Sequence, residues 1–410
     1  MDDKKRKLGE GYLDQFVSDA NEVVSFKFVH DKQDLEDDYE SFKPQFTHQF
    51  FGDSENIFGY IGLHVDLYYT ACRLFPYFGM KYREKVKSSI TGGIEADDVY
   101  KIICDKQEFD MCTDLEEFSA ALEKESSFVP YGQMLESFNI KNELDENETF
   151  EIYRADLTDS GFQEYHKRMQ TLILWLIDAA SFIDQEDDRW DCFVLHQKVE
   201  DDGVVHYPFV GYMTVYRYYA YPKKTRPRIS QMLVLPTYQK RGLGSKLLES
   251  VCNWYIQDPE VLDITVEDPS EEFVRIRDCV DCKKCQALPS FAEDMLKKGF
   301  SKEMAEEAQM HLKINKKQAR RVYEILRLKC TDMTNPQDYR IYRLDVKNRL
   351  NAPFQREKLD MEKLQKNLSP EELKAASNMI PREQRLEQLD QMYKDTEAKY
   401  KHIIDKLCEG

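Results

Sequence analysis

Residues 231–255, QMLVLPTYQKRGLGSKLLESVCNWY, place an apolar run, a glycine-containing loop and a helical pattern in immediate succession. The apolar run predicts a strand that ends at Leu235, followed by the loop QKRGLG at 239–244. A helix that starts near Ser245 would turn residues spaced by four toward a core, namely Leu243, Leu247, Val251 and Tyr255. Because such a loop directs backbone amides and the positive end of a helix dipole at an anion, the stretch predicts a phosphate-binding site.

The known classes of phosphate-binding loop require different residues at these positions. A P-loop NTPase needs glycine at 239 and Lys-Ser after Gly244, but the chain has Gln239 and the order Ser245-Lys246. A dinucleotide fold needs glycine at 247, where Leu247 stands. The pattern Gln/Arg-x-x-Gly-x-Gly/Ala, typical of the acetyl-CoA pyrophosphate loop of GNAT acetyltransferases, does match. A purely structural turn remains the alternative.

Flanking patterns predict a mixed sheet around this loop. Residues 149–155 and 191–199 are strand-like, and a helical pattern occupies 161–183. The turn sequence EDDG at 200–203 predicts a hairpin with a strand at 204–218. The remaining strands are predicted at 228–235 and 262–267, and residues 47–69 indicate a further strand, turn and strand.

Pattern changes along the 410 residues suggest five segments. We expect a flexible tail at 1–22, a substrate-contacting α/β domain at 23–148 and an acetyltransferase domain at 149–270. A helical domain at 271–350 and a helical extension at 351–410 follow. In the extension, the sequence SPEE at 369–372 predicts a helix start, and apolar residues alternating by three and four to position 407 predict a heptad seam.

Composition limits the possible partners. The net charge of -18 argues against direct nucleic-acid binding and suits a basic partner, although acidity for solubility alone explains it equally well. No apolar run reaches the roughly 18 residues of a membrane span, and no signal peptide opens the chain. The ten cysteines then read as reduced thiols, so we expect an intracellular, soluble protein.

Seven specific strings decide between these possibilities: THQFFGD (47–53), ASFID (180–184), GYMTVY (211–216), KTRPR (224–228), SQMLVL (230–235), LDITVEDPS (262–270) and ARRVYEILRL (319–328). Through them the chain resembles the type B histone acetyltransferase catalytic subunits of the GNAT superfamily over most of residues 25–345. The resemblance implies an α+β protein, in which a GNAT fold with a mixed twisted sheet and flanking helices joins an N-terminal α/β domain and a C-terminal helical region.

The same resemblance implies direct transfer of acetyl from acetyl-CoA to lysines of the free, newly synthesised histone H4 tail, without a covalent enzyme intermediate. It further implies a WD-repeat histone-binding chaperone as partner, and a place in both nucleus and cytoplasm. Two alternatives stay open: a GNAT enzyme that acts on another amine, and a histone-binding escort without turnover. Cofactor contacts are expected from the main chain of the strand and from the loop: Met232, Leu233, Val234, Gln239, Lys240, Arg241, Gly242, Leu243, Gly244 and Ser245.

Acetylation requires a neutral amine, and at pH 7 only about 1 lysine in 2,500 is neutral, a handicap of roughly 4.6 kcal/mol. Glu267 is the expected general base, because it ends an apolar strand where partial burial would raise its pKa. The resemblance implies the same role for Glu267 and places Asp268 and Asp178 beside it. Capping of the next helix is the alternative for Asp268. For Asp178, where the family more often has Glu, the alternative is a polar residue at a helix edge.

Substrate contacts follow from the resemblance as well. Carboxylates can pair with basic residues of a histone tail, and aromatic faces can hold lysine side chains. The resemblance points to these substrate-contacting residues: Asp53, Glu55, Trp190, Tyr216, Arg217 and Tyr218. Turn formation by the two acids and strand packing of the aromatic residues are the alternatives. Cys279, Cys282 and Cys285 do not predict a metal site, because no further Cys or His pair follows at zinc-finger spacing.

Overall fold

The computed structural model describes residues 13–35, 41–89, 91–364 and 382–409. The chain divides into two compact units, a first of Met1–Tyr218 with Arg228–Val251 and a second of Tyr219–Pro227 with Cys252–Gly410. Among the described helices, none combines the length and apolarity needed to cross a membrane.

Short strands and helices build the N-terminal part of the first unit. Its strands are β1 Val17–Asp19, β2 Val24–Val29, β3 Asn56–Phe58, β4 Tyr60–Ile61, β5 His64–Thr70, β6 Pro76–Lys81 and β7 Glu84–Lys85. Its helices are α1 Ala20–Val23, α2 His48–Phe51, α3 Val99–Gln107 and α4 Leu115–Leu122. Strand β5 lies between β2, which runs parallel to it, and β6, which runs antiparallel.

A larger sheet forms the rest of the first unit. Its strands are β8 Gln133–Lys141, β9 Asn147–Ala155, β10 Trp190–Asp201, β11 Val204–His206, β12 Phe209–Ala220 and the first-unit part of β13 Lys224–Val234. The order is β13-β12-β10-β9-β8, with β11 on β10. Its helices are α5 Ser160–Thr171, α6 Ile173–Leu176 and α7 Leu243–Ile256, the last of which continues into the second unit.

The β10–β11 hairpin confirms the turn predicted from EDDG. Asp201 pairs with Val204, and the two residues between them have φ of +46° at Asp202 and +80° at Gly203. Two successive positive φ values match the right-handed twist of the flanking strands, so the two-residue loop closes without splaying them.

Aromatic side chains pack closely in the core of the first unit. Trp175 of α6 is fully buried, stacks on Phe50 at 3.7 Å between ring centroids and meets Phe26 edge-on at 5.4 Å. The Trp175 carbonyl also accepts hydrogen bonds from the Gln45 and Phe46 amides. These contacts join α6 to the segment before α2. They also fix the end of α6, two residues before Asp178.

The second unit is mainly helical. It contains β14 Thr265–Val266 and the helices α8 Glu271–Cys285, α9 Glu293–Leu296, α10 Lys302–Leu312, α11 Lys316–Lys329, α12 Pro336–Leu364 and α13 Arg382–Glu409. On α13, the predicted seam residues Tyr393, Tyr400 and Ile403 are buried in the core of this unit. The seam therefore packs within its own unit.

Several local predictions were wrong in their extent or type. Residues 48–51 form α2, not a strand, and the predicted helix at 161–183 ends at Leu176 after a break between α5 and α6. The strand predicted at 204–218 is interrupted between β11 and β12. Residues 14–22 of the predicted flexible tail form a 3-10 turn, β1 and part of α1. The predicted helix start at 369–372 lies outside the described residues.

Candidate active site

The strand, loop and helix predicted from residues 231–255 form as expected. Strand β13 ends at Val234, a 3-10 turn spans Pro236–Tyr238, and α7 begins at Leu243. Gly242 has φ of +83°, and apart from its chain neighbours no described residue comes within 4 Å of the position that a Cβ would occupy there. The first amides of a helix lack partners inside it, so the start of α7 offers donors beside open space. This cradle fits a pyrophosphate.

Gln239 serves the chain itself. Its Nε2 donates to the Val234 carbonyl at 2.9 Å and so fastens the loop to the end of β13. Arg241 is likewise engaged, because its guanidinium forms an ion pair with Glu148 at the start of β9. Lys240, the other basic loop residue expected to contact the cofactor, is exposed and has φ of +63°.

Strand β13 approaches β12 unusually closely at Gly211. A Cβ added at Gly211 would lie 2.3 Å from the Leu233 carbonyl oxygen, well inside van der Waals contact. Leu233 is buried, whereas Met232 and Val234 are half-buried. The side chain of Leu233 is therefore part of the core, which leaves its main-chain groups as the ones suited to a ligand.

Gln231 is a residue that sequence reasoning missed. Its buried side chain accepts from the Tyr212 hydroxyl (3.1 Å) and the Thr214 hydroxyl (3.4 Å), and donates to the Ser181 carbonyl (2.7 Å). It thereby joins β12 and β13 to the segment that follows α6. A polar residue within the apolar run SQMLVL was the signal available.

The three aromatic residues expected to contact the substrate come together on β10 and β12. Trp190 pairs with Tyr216 across the strands, with their rings edge-on at 4.8 Å, and Tyr216 lies 4.6 Å from Tyr218. The Tyr216 hydroxyl donates to Asp187 at 3.0 Å, and Arg189 lies 4.9 Å from the Tyr216 ring centroid. Trp190 and Tyr216 are half-buried and Tyr218 is exposed, so the row has an accessible end.

The charged residues beside this row are paired within the chain. Arg189 donates two side-chain hydrogen bonds to Asp187 and, with its own backbone amide, holds the pKa of that carboxyl well below its usual range. Arg217 lies 3.3 Å from the buried Asp191. Arg217 therefore neutralises an acid of the sheet and also donates to the Asp188 carbonyl.

His48, Glu55 and Asp178 form a second group in the first unit. The Glu55 carboxylate accepts from the Thr47 and His48 amides at 2.9 and 3.0 Å, and the Thr47 amide is the largest cause of its lowered pKa. His48 Nδ1 lies 3.9 Å from Glu55, and Nε2 lies 3.6 Å from Asp178. Asp178 is 70% exposed, and Asp53 is exposed in the adjacent turn.

Glu267 and Asp268 belong to the second unit. Glu267 directly follows β14 and is exposed, so the expected partial burial is not found. Asp268 has φ of +29° and does not cap the next helix; Ser270 does, through its hydroxyl, which accepts from the Phe273 amide at 3.1 Å. The capping alternative for Asp268 is therefore wrong.

The cysteines of α8 are mainly structural. Cys282 and Cys285 are fully buried, and burial raises the pKa of both thiols. Within the described ranges, no group of three or more His, Cys, Asp or Glu side chains is arranged to hold a metal ion.

Comparison with protein families gives three matches along the chain. Residues 16–178 match the N-terminus of the histone acetyl transferase HAT1, and residues 147–273 match the acetyltransferase (GNAT) family. Residues 277–328 match the C-terminal part of the histone acetyltransferase type B catalytic subunit. The GNAT match contains β9 to β14 and the loop before α7, which agrees with the fold class expected from the sequence.

Curated relatives match over nearly the whole chain. The histone acetyltransferase type B catalytic subunits of Homo sapiens and Mus musculus are each 45% identical over 401 residues, which cover 98% of this chain and 96% of the relative. The protein of the same description from Cryptococcus neoformans is 32% identical over 372 residues, covering 82% of this chain and 89% of the relative.

Proposed function

The chain belongs to the family of histone acetyltransferase type B catalytic subunits, and we propose on that premise that it transfers acetyl from acetyl-CoA to lysine side chains of the free histone H4 tail. The observation that carries the proposal is the loop between β13 and α7. Its open glycine and helix start form an anion cradle inside the segment that matches the GNAT family.

Acetyl-CoA supplies the thioester, and the groups of this chain would hold the cofactor in position. The amides around Gly242, Leu243, Gly244 and Ser245 would hold the pyrophosphate. Main-chain groups of Met232 to Val234 would bind the pantetheine arm and donate to the carbonyl, where negative charge develops. Gln231 and Gln239 keep this strand and loop in place through their bonds within the chain.

Deprotonation of the lysine is assigned to Glu267. A carboxylate beside the amine accepts its proton and typically contributes about 10²- to 10⁴-fold. Substrate binding would bury Glu267, which is exposed in the free chain. Asp178 is the second carboxylate proposed near the amine, and His48 at 3.6 Å restricts its position. Asp268, freed from a capping role, is the third.

The substrate surface is proposed along Trp190, Tyr216 and Tyr218. Aromatic faces accept lysine stems and cationic heads, and these rings already hold Arg189 and Arg228 in that way, at 4.9 Å from Tyr216 and 5.5 Å from Tyr218. Arg217 supports this surface by pairing with Asp191. Of the nominated turn acids, Asp53 is exposed and suited to a basic tail residue. Glu55 is held by amides of the chain and instead orders the turn.

The acidic balance of the chain supports a basic protein partner over nucleic acid. We extend the proposal to a WD-repeat histone-binding chaperone as a companion subunit, and to action in both cytoplasm and nucleus, where free histones are made and used. Both extensions rest on family membership.

The decisive experiment incubates the chain with acetyl-CoA and histone H4 and locates the modified residues by mass spectrometry. Acetylation of lysines in the H4 tail supports the proposal. Acetylation of N-terminal or small amines alone would indicate another GNAT specificity, and binding of acetyl-CoA and histone without turnover would indicate an escort.

Glu267→Gln tests the base assignment in the same assay. We expect kcat at pH 7 to fall about 10²- to 10⁴-fold, because the amide cannot accept a proton. Raising the pH to 9 should restore part of the loss, since the neutral fraction of lysine rises about 100-fold. Glu260→Gln makes the same change at another exposed position of the second unit and should leave kcat unaltered. Full activity of Glu267→Gln would refute the assignment.

A further inference from the structure

The side chain of Arg241 is enclosed by the first unit. Its guanidinium pairs with the Glu148 carboxylate and lies 5.4 Å from the ring centroid of Phe150 and 5.9 Å from that of Tyr238. The side chains of Arg241 and Glu148 are only 26% and 23% exposed. The positive charge of Arg241 is therefore engaged by an acid and two aromatic faces of the same chain.

These partners are themselves fixed. Phe150 is fully buried in β9, stacks on Phe138 at 5.9 Å and meets Tyr238 edge-on at 6.4 Å. The Tyr238 hydroxyl donates to the Gln197 side chain of β10 at 3.0 Å. Arg241 thus attaches the loop to a platform built on two neighbouring strands of the sheet.

The loop needs such an attachment because its backbone is unfavourable. Lys240 and Gly242, on either side of Arg241, have φ of +63° and +83°. A left-handed conformation is easy for glycine but unfavourable for a residue with a side chain, so contacts elsewhere must hold Lys240 in it. Arg241, which lies between them, supplies such contacts in addition to the bond from Gln239 to the Val234 carbonyl.

We propose that Arg241 is a positioning residue, which Glu148 clamps to β9 so that the loop amides face the pyrophosphate of the cofactor, and that Arg241 is not itself a ligand of the phosphates. The inference rests on the proposed use of acetyl-CoA. It leaves the backbone amides as the main donors to the phosphates and Lys240 as the exposed side-chain cation of the loop.

Glu148→Gln separates the two roles because they predict opposite effects. If Arg241 positions the loop, loss of its partner should weaken binding of CoA to the full chain about tenfold, as measured by isothermal titration calorimetry, and kcat at saturating acetyl-CoA should change little. If Arg241 binds phosphate, freeing it from a competing carboxylate would leave the affinity unchanged or increase it, and that result would overturn the proposal.

A matched control and a second readout make the outcome specific. Glu249→Gln is the control, because it makes the same change in an ion pair within α7. The Glu249 carboxylate lies 3.5 Å from the Lys246 ammonium, and both side chains are more exposed than those of Arg241 and Glu148. Its loss should not alter CoA affinity. Hydrogen exchange of the amides at 239–245 in the unliganded chain should become faster in Glu148→Gln only. Unchanged exchange would overturn the clamp even if affinity fell. A wild-type chain that acetylates no histone but binds CoA would refute the proposed function while leaving this test intact.

Discussion

His166 is one of the buried side chains that make the stability of the fold depend on pH. It is fully buried in α5, where its Nδ1 lies 2.6 Å from the Gln185 amide and its ring meets Tyr212 edge-on at 6.2 Å. Burial lowers the pKa of His166 to about 4, because the charged imidazolium would lose its hydration. The folded chain therefore holds this histidine neutral, directly beneath the strand that carries Tyr216.

Acid should destabilise the first unit through this residue. The unfolded chain binds a proton near pH 6.5 that the folded chain takes up only near pH 4. The stabilising contribution is thus present above pH 6.5 and falls by up to about 1.4 kcal/mol for each pH unit between these values. His166→Gln should show a shallower fall in Tm from pH 6.5 to 4 than the wild type. The same change at the exposed His402 should leave the slope unaltered, and equal slopes in all three chains would contradict the prediction.

Secondary structure was predictable where a pattern was long or carried a turn signal. The succession of β13, the loop and α7 and the β10–β11 hairpin met that condition. Helix α2 has only four residues and no period to detect, so its apolar residues were interpreted as a strand. The strand predicted at 262–267 is reduced to β14, and the buried Asp263 that precedes β14 pairs with Arg226.

The site was predictable in part for the same physical reason. Local spacing indicates a glycine loop or an aromatic pair on adjacent strands. It cannot show contacts between distant segments, such as Gln231 with the Ser181 carbonyl or His48 with Asp178. Those contacts depend on how α6 and the segment after it return to the sheet, which no pattern in the sequence specifies.

The close approach of β12 to β13 should be sensitive to one added methyl group. In Gly211→Ala, the Cβ would meet the Leu233 carbonyl and push the strands apart, at a cost of about 1–3 kcal/mol. The displacement falls on the main chain proposed to contact acetyl-CoA, so we expect both a lower Tm and weaker CoA binding. Gly203→Ala, with φ of +80° but open space, should lower Tm alone. Normal CoA affinity in Gly211→Ala would argue against this role of the strand.

Across the second unit, one carboxylate links three helices. Glu324 of α11 is fully buried and accepts from Arg320 of the same helix, from Arg349 of α12 at 2.6 Å and from the Tyr400 hydroxyl of α13 at 2.9 Å. A buried charge is tolerated only when its partners are in place, so this network ties the formation of α12 and α13 to that of α11.

Breaking that network should affect the unit as a whole. Glu324→Gln removes the buried charge that pairs with Arg349 and with Arg320, although Arg320 keeps its second acid, Asp345. We expect a loss of about 3–5 kcal/mol in the free energy of unfolding. Urea denaturation followed by circular dichroism would measure it. Glu306→Gln removes an exposed partner of Lys302 on α10 and should cost under about 1 kcal/mol. Equal midpoints for the two variants would show that Glu324 has no such role.

The boundary between the units cuts through β12, β13 and α7. Residues 219–227 belong to the second unit, and the first unit ends at Val251 within α7. Arg226 in that short stretch pairs with Asp263, and Thr225 forms a parallel bridge with Val261. A gene fragment that starts after α7 would therefore encode the second unit without residues 219–227, which belong to it. A single cut in the gene therefore cannot separate the two units into complete pieces.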